Sequence, residues 1–289
     1  MAEKLGLEHQ LILEEKFKLL TIDISEYTFA NLYLFRTIHD YEILFERGEL
    51  FVKGKSREGF VYLMPTSSPD RWPPGMVQLL TEQSACLYPI PREWLSYFEK
   101  DISQVSFSEA ENDYLFLSKK IAHYSGRHLS KKRNQVKQFL EHHRVESRPL
   151  FGGECQHVLQ ILESWQQESD QTRQETDYDA LVQAIASFDR LHLHGKQYFV
   201  DGKPSGFMIG EQLNSDCYVL HFVKAAKQIL GLYQYMYQDL ALTLEDQYKY
   251  INLEQDLGMP TIRQAKHSYQ PDRFEHKYRI YLSGDNPTS

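Results

Sequence analysis

The stretch KQYFVDGKPSGFMIGE, residues 196–211, is the strongest local indication of the fold. Two apolar runs flank Asp201-Gly202, and an Asp-Gly pair between apolar runs is the most reliable short signal of a β-hairpin. A strand at 216–223, a long helix at 227–246 and a short strand at 249–253 follow it. The sequence therefore predicts a hairpin at the centre of a mixed helix-and-strand unit.

Working outward, the same order of elements occurs twice. The second half is completed by helices at 155–167, 178–191 and 260–268 and a strand at 277–282. The first half predicts a helix capped by Ser25, strands at 41–46, 50–53, 59–65 and 85–90, and helices at 76–85 and from Pro91. Each half follows the order helix, hairpin, strand, helix, strand. That order is typical of an α+β fold and not of a βαβ repeat.

The length of 289 residues allows one large domain or two of roughly 140 residues. The repeated order favours two. We expect an N-terminal subdomain at 1–118, a basic connecting segment and helix at 119–150, and a C-terminal subdomain at 151–289 that carries the active cleft.

Composition excludes several classes of protein. Phe 16, Tyr 19 and Trp 3 are ample core material and argue against disorder. No stretch approaches the roughly 18 apolar residues of a spanning helix, and the N-terminus lacks the apolar region of a secretory signal. The net charge of -8 argues against a protein that coats nucleic acid. Cys86, Cys155 and Cys217 indicate no disulfide framework, so we expect a soluble, cytoplasmic protein.

The most basic stretch, residues 119–144, is KKIAHYSGRHLSKKRNQVKQFLEHHR. Helical spacing from Leu129 places Arg133 on the apolar face of the predicted helix, where it must either extend to solvent or reach an anion. Arg127 and His128 precede the helix and add positive charge. The alternative interpretation is a solvated helical face. We favour a phosphate or carboxylate partner.

A second cluster lies between Asn252 and Tyr269. Glu254 and Asp256 are two residues apart at a predicted strand end, so we expect their carboxylates to point to one side. Arg263 and Lys266 share a helix face. Carboxylates and cations together can select a zwitterion such as an amino acid. The alternative, which the spacing alone favours, is an internal ion-pair network that docks the helix.

Other common chemistries lack a motif. The histidines, including His221, show neither HExxH nor Cys/His zinc spacing, so we expect no metal and satisfied or exposed side chains. GxSxG, P-loop and GxGxxG patterns are absent from the sequence.

The blocks YTFANLYLF, GRHLSKKRNQVKQF and INLEQDLGMPTIRQAKHSYQP resemble the bacterial family named for the C-terminal domain of phosphatidylglycerol lysyltransferase. The resemblance runs from about Ser25 to Leu282. It implies two tandem GNAT-like (acyl-CoA N-acyltransferase-like) subdomains, each a mixed, largely antiparallel sheet flanked by helices. It also implies a relationship to Fem-type aminoacyltransferases, which move an aminoacyl group from tRNA.

Carried over position by position, the resemblance implies two sets of site residues. The catalytic set would be Glu254, Asp256 and Tyr269. The substrate-binding set would be Lys131, Lys132, Arg133, Asn134, Asn252, Arg263 and Lys266. To it we add Arg127 and His128 from the basic stretch and Lys224 from the central strand. Two positions depart from the family pattern, because Leu253 stands where the family usually has Arg and Val223 where it commonly has an acidic residue.

The resemblance implies a transferase that moves an acyl or aminoacyl group from a tRNA or thioester donor to an amine or hydroxyl acceptor. Glu254 or Asp256 would bind the acceptor or act as base, Arg133, Arg263 and Lys266 would hold phosphate or carboxylate, and Tyr269 would protonate the leaving group. Two alternatives stay open: an acyl-CoA-dependent N-acyltransferase, and a GNAT-like protein that binds a ligand without turnover. CoA binding is disfavoured because the segment after the central strand has Gly231 but lacks the second glycine of a pyrophosphate turn.

Overall fold

The computed structural model describes residues 2–56, 59–83, 85–152 and 156–282. Within them the chain forms two compact units. The first contains the residues up to Asp113, the segment Gln255–Pro260 and the residues from Phe274 onward; the second contains Tyr114–Glu254 and Thr261–Arg273. Cys155 and the predicted polar tail at 285–289 lie outside the described residues.

The first sheet has seven strands, and its β4–β5 pair is parallel while its other pairs are antiparallel. In spatial order these are β1 (Ala2–Lys4), β2 (Glu42–Glu46), β3 (Glu49–Lys55), β4 (Val61–Pro65), β5 (Cys86–Ile90), β14 (Tyr278–Leu282) and β6 (Ile102–Ser106). The accompanying helices are α1 (Gln10–Phe17), α2 (Phe29–Phe35) and α3 (Met76–Glu82).

The second sheet also has seven strands, and its β11–β12 pair is parallel. In spatial order these are β8 (Val145–Leu150), β9 (His194–Val200), β10 (Lys203–Gln212), β11 (Cys217–Ala225), β12 (Tyr250–Asn252), β7 (Asp113–Leu117) and β13 (Arg273–Glu275). Its helices are α4 (Ser118–His123), α5 (Ser130–His142), α6 (Gln156–Gln167), α7 (Tyr178–Ala186), α8 (Leu232–Leu244) and α9 (Pro260–His267).

The two sheets share one plan. In each, a meander of strands ends in a parallel pair, and the next strand comes from a distant part of the chain. β14 lies between β5 and β6, just as β7 lies between β12 and β13. The repeated order predicted from the sequence is therefore confirmed, together with the α+β class.

The predicted domain boundaries differ from the observed units in two respects. The basic segment 119–150 is not a connector, because α4, α5 and β8 belong to the second unit. The last strand was expected in the C-terminal subdomain, but β14 pairs with β5 and β6 in the first sheet. Periodicity finds a strand but does not identify its partners, which explains the second difference.

Local signals explain most of the helix and turn boundaries. The Asp201-Gly202 hairpin is confirmed, with φ of 51° and 79° at the two residues, as a tight hairpin turn requires. The cap of α2 is Thr28, whose hydroxyl accepts a hydrogen bond from the Asn31 N–H at 3.2 Å. Ser25, the predicted cap, instead donates its backbone N–H to Asp113 at 2.7 Å.

Several elements differ from the prediction. The predicted long helix starts at Leu232 and not near Lys227, because turns occupy the intervening residues and Gly231 adopts a φ of 90°. The segment after Pro91 is a 3₁₀ helix, Arg92–Tyr97. The sequence analysis did not predict β1, β6, β7, β8, β13 or α4.

Gly231 packs directly against α5. A Cβ built there would lie 2.7 Å from the Gln135 carbonyl oxygen and 2.7 Å from the Phe139 Cβ. The absence of a side chain therefore permits the close approach of α5 to the start of α8, which is the packing explanation for this glycine.

We expect Gly231→Ala to destabilise the protein more than Gly202→Ala does. Both residues have positive φ, which costs a non-glycine residue about 1–3 kcal/mol, but a Cβ at Gly202 meets nothing within 4 Å. The clash at Gly231 adds about 1–3 kcal/mol of overpacking. Urea unfolding of the two variants measures the free energy of unfolding that each loses. Equal losses of this free energy would contradict the packing explanation.

Candidate active site

A β-bulge interrupts the central strand of the second unit at His221. Ile209 pairs with Phe222 and Gly210 pairs with Leu220, so His221 is the extra residue on β11. A bulge bends a strand and redirects its side chains, and bulges are common beside active sites. The bulge therefore sets the direction of the His221 side chain.

The strands β11 and β12 separate near the same place. Their parallel pairing ends at Val219 and Asn252, whereas β11 continues to Ala225. His221 lies two residues beyond the last paired position. The edge of β11 from the bulge onward is thus no longer covered by β12.

Two glutamates hold the His221 imidazole across this opening. Nε2 lies 2.9 Å from Glu211 Oε1 and Nδ1 lies 2.7 Å from Glu254 Oε1. The His221 side chain is fully buried, while those of Glu211 and Glu254 are 12% and 17% exposed. The carboxylates thus keep some access to solvent or ligand, and the imidazole does not.

This arrangement fixes the protonation of His221. Burial lowers the pKa of the imidazole, but the hydrogen bonds to Glu211 and Glu254 outweigh burial and raise the pKa to about 10. At neutral pH the ring is an imidazolium that donates to both carboxylates, so it does not act as a general base. The cluster retains one net negative charge, suited to a cationic ligand.

The backbone at Glu254 is held in an unusual conformation. Its φ is 56°, and its N–H donates to the Asn252 side-chain oxygen at 2.6 Å. Its carbonyl accepts from the Tyr114 N–H at 3.2 Å and from Lys266 Nζ at 3.0 Å. Asn252 and Lys266, both predicted to bind substrate, therefore position the Glu254 turn.

The argument that Glu254 and Asp256 point to one side of a strand is wrong. β12 ends at Asn252, so strand alternation does not extend to either residue. Asp256 belongs to the first unit, is fully buried, and accepts a hydrogen bond from the Gly258 N–H at 2.8 Å. Its carboxylate closes the turn after Glu254, and its catalytic role stays a prediction.

Tyr269, the third predicted catalytic residue, lies in an aromatic cluster of the second unit. Its ring centroid is 5.1 Å from that of Tyr237 and 6.1 Å from that of Tyr124. Burial raises the pKa of the Tyr269 phenol well above its ordinary value, so the group stays protonated at neutral pH. Lys132 Nζ lies 3.9 Å from the ring centroid.

The basic residues around α5 divide into two kinds. Arg133 donates to the carbonyls of Tyr124 and of Gly126, the latter at 2.9 Å, and so closes the turn before the helix. Its side chain is exposed, so it extends to solvent beside the buried Leu129, Val136 and Phe139, which is one of the two outcomes expected for an arginine at this position. The other residues of this group that are open to solvent are Arg127, His128, Lys131 and Asn134.

Lys132 differs from its neighbours because it is partly buried. Burial, together with the adjacent Lys131 charge, lowers the pKa of its amine. Its Nζ donates to the Ser268 hydroxyl at 2.8 Å. Lys132 is therefore held by its contact with Ser268, whereas the exposed residues of this group are open to a ligand.

Two further predicted residues lie elsewhere in the second unit. Lys224 is buried on β11, where its Nζ is 2.8 Å from Asp177 Oδ1 and 3.8 Å from the Trp165 ring centroid. Arg263 is half-buried on α9, one turn before Lys266. The Lys224 charge is thus already paired with a carboxylate.

The first unit contains a charged cluster that sequence reasoning missed. Lys277 is fully buried, and its Nζ lies 2.8 Å from Asp113 Oδ1 and 2.7 Å from Glu26 Oε2. Gln255 Oε1 also accepts from it, at 2.5 Å. Burial lowers the pKa of Lys277, but the two carboxylates outweigh it and raise the pKa above its ordinary value. The amine is therefore permanently charged.

The role of His221 and Glu211 was also missed. A single histidine within the apolar strand CYVLHFV, opposite a strand that ends in glutamate, is the sequence signal for a buried ion pair. No feature of the sequence indicates the β-bulge that brings His221 close to Glu254. The described residues contain no group of three or more His, Cys, Asp or Glu side chains arranged to hold a metal ion.

We expect His221→Gln to destabilise the protein most at low pH. The raised pKa means that stabilisation by the imidazolium is complete below about pH 6.5 and is lost as pH rises towards about 10. Urea unfolding at several pH values measures this difference from wild type. His143→Gln, which removes a more exposed histidine 2.8 Å from Asp201, should have a small effect. If the free energy of unfolding that His221→Gln loses is the same at every pH, the result would contradict a protonated His221.

Comparison with known proteins agrees with this architecture. The sequence profile of the family described as "Phosphatidylglycerol lysyltransferase, C-terminal" matches residues 17–281. Among curated protein sequences none matches the chain. In the part of the chain that the structure describes, no helix combines the length and apolar character needed to cross a bilayer.

Three solved structures share the fold. A conserved protein of unknown function from Bacteroides thetaiotaomicron is 23% identical with a TM-score of 0.85, over 98% of this chain and 99% of that one. L-PGS from Bacillus licheniformis is 14% identical with a TM-score of 0.63, over 99% and 94%. A GNAT-family acetyltransferase from Colwellia psychrerythraea is 11% identical with a TM-score of 0.50, over 98% and 100%.

At these identities the solved structures establish the fold alone, which is a pair of GNAT-like subdomains. The family assignment rests on the profile, which covers most of the chain and all three sequence blocks quoted above. This chain therefore belongs to the family of phosphatidylglycerol lysyltransferase C-terminal domains.

Proposed function

We propose that the protein transfers an aminoacyl group from tRNA to an amine or hydroxyl acceptor, with Glu254 at the reacting centre. Membership of a family named for a lysyltransferase supports acyl transfer in general. The observation that carries the proposal is the Glu254 carboxylate, which the protonated His221 holds beside the separation of β11 and β12.

The chemistry follows from the charges of this cluster. His221 bonds to Oε1 of Glu254, and the lone pairs of a carboxylate can also accept a proton or a hydrogen bond from a substrate. The acceptor nitrogen or oxygen attacks the ester carbonyl of the donor, forming the new bond as Glu254 takes the acceptor proton. The ester C–O bond then breaks, and the proton passes to the leaving ribose hydroxyl. Tyr269, whose phenol is protonated before the reaction, is the proposed donor of that proton, and the proton taken up by Glu254 then returns through solvent to the phenolate.

Two features favour tRNA over CoA as the donor. The exposed Arg127 and Lys131, with His128 beside them, supply positive charge in a protein of net charge -8. The single glycine of the expected pyrophosphate turn, Gly231, is explained by its packing against α5. The acyl-CoA-dependent enzyme and the ligand-binding protein without turnover remain the alternatives, and Leu253 and Val223 favour the second.

We expect Glu254→Gln to lower the consumption of aminoacyl-tRNA by at least about 100-fold, because the amide accepts no proton at the reacting centre. Loss of radiolabelled aminoacyl ester, with amines and hydroxyl compounds supplied as acceptors, measures the rate. Glu245→Gln is the matched control, since Glu245 also pairs with a histidine, His123, at 3.0 Å. Full activity of Glu254→Gln would contradict its role. If the protein consumes acyl-CoA with release of CoA and does not consume aminoacyl-tRNA, the acyl-CoA-dependent alternative would be favoured.

We expect Lys131→Glu to weaken tRNA binding and to reduce the slope of log K against log salt by roughly 1, because one phosphate contact is lost. Filter binding across a range of salt concentrations measures both quantities. Lys137→Glu on the same helix is the control, because its amine is 3.8 Å from Glu141 and it lies away from the start of α5. Equal effects of the two variants would show that binding depends only on net charge.

A further inference from the structure

A cavity of the second unit lies beyond the His221 bulge. It has a volume of about 250 Å³ and is bounded by α6, the start of β10 and the turn after β11. Ala225, on its wall, is four residues after His221, or about 13 Å along the strand. The volume is below the roughly 300–1,000 Å³ of sites for drug-sized ligands, so one small ring is the appropriate size of ligand.

The wall of the cavity combines one aromatic side chain with uncharged polar groups. Trp165 provides the aromatic surface, and the polar groups come from Gln160, Ser164, Ser205 and Gln228. Amides and hydroxyls both donate and accept hydrogen bonds. Such a wall suits a ligand that has an apolar face and several hydroxyl groups around its edge.

The indole ring is held in place by its neighbours. Lys224 Nζ lies 3.8 Å from the ring centroid, and the indole N–H donates to the Tyr233 hydroxyl. The Tyr233 hydroxyl in turn accepts from the Ala225 N–H at 3.2 Å. Because these contacts fix the ring before a ligand arrives, little conformational entropy is lost on binding.

The charges around Trp165 balance. Lys224 is paired with Asp177 at 2.8 Å, and Lys227 lies 5.6 Å from the ring centroid with its amine 3.4 Å from the Glu168 carbonyl oxygen. Glu168 adds one carboxylate to the cavity wall. Two lysines and two acidic residues are thus found around Trp165, and this equal number of opposite charges favours an uncharged ligand over a phosphate or a carboxylate.

We propose that this cavity binds a single neutral sugar ring. The C–H face of the ring packs on Trp165, and its hydroxyls exchange hydrogen bonds with Gln160, Ser164 and Gln228. The inference does not depend on acyl transfer, since it is drawn from a cavity separate from the Glu254 cluster.

Intrinsic fluorescence offers a direct test, because Trp72 and Trp94 are only 9% and 5% exposed. The full chain is titrated with glucose, galactose and N-acetylglucosamine, and separately with ADP and alanyl-alanine. For a ligand this small we expect a saturable change with a Kd of roughly 1 mM for at least one sugar. Gln160→Ala should weaken binding at least tenfold, whereas Gln167→Ala, an exposed glutamine on the same helix, should leave it unchanged.

Calorimetric titration of Trp165→Ala, with circular dichroism to confirm folding, completes the test. Loss of sugar binding in the folded variant supports the proposal. Three results would overturn it: no sugar binding by the wild type, binding that survives in Trp165→Ala, or binding only of ADP or alanyl-alanine. None of these results bears on the Glu254→Gln experiment, so the two proposals fail separately.

Discussion

A buried ammonium group, Lys277 Nζ, fixes the place where the chain returns to the first unit. Its partners are Asp113, where the chain leaves that unit, and Glu26, just before α2. Removing one partner from a buried pair costs about 3–5 kcal/mol, because the remaining charge is left uncompensated in a dry interior. The pair therefore ties the exit and the return of the chain together, and β14 enters the first sheet directly after Lys277.

The candidate site in the second unit depends on a comparable charged contact at a backbone irregularity. The bulge at His221 places a cation between Glu211 on β10 and Glu254, which follows β12, at the level where β11 and β12 no longer pair. Without the bulge, the imidazole would follow the regular alternation of β11. The extra residue of the bulge, His221, is thus the one that contacts the Glu254 carboxylate.

The sequence predicted the repeated order of elements, the hairpin at Asp201-Gly202 and the two blocks of polar residues, because each depends on neighbours in the chain. It did not predict that Asp256 would close a turn, that Arg133 would bind carbonyl groups, or that His221 would join Glu254. These contacts depend on where the strand pleat ends and on which distant segments meet. The burial of a side chain and the identity of its contact partners depend on the whole fold. Sequence periodicity indicates only which face of a single helix or strand is apolar.

The position of β14 has a consequence for biosynthesis. Arg279 pairs with Ser106 and Tyr278 with Ile90, so the first sheet lacks an internal strand until β14, which lies far along the chain from β5 and β6, has left the ribosome. Until then β5 and β6 present unpaired edges, and a nascent chain in that state is open to non-native strand pairing. Closing so long a loop also makes this step slow. The first subdomain, although it begins first in the chain, is therefore completed last.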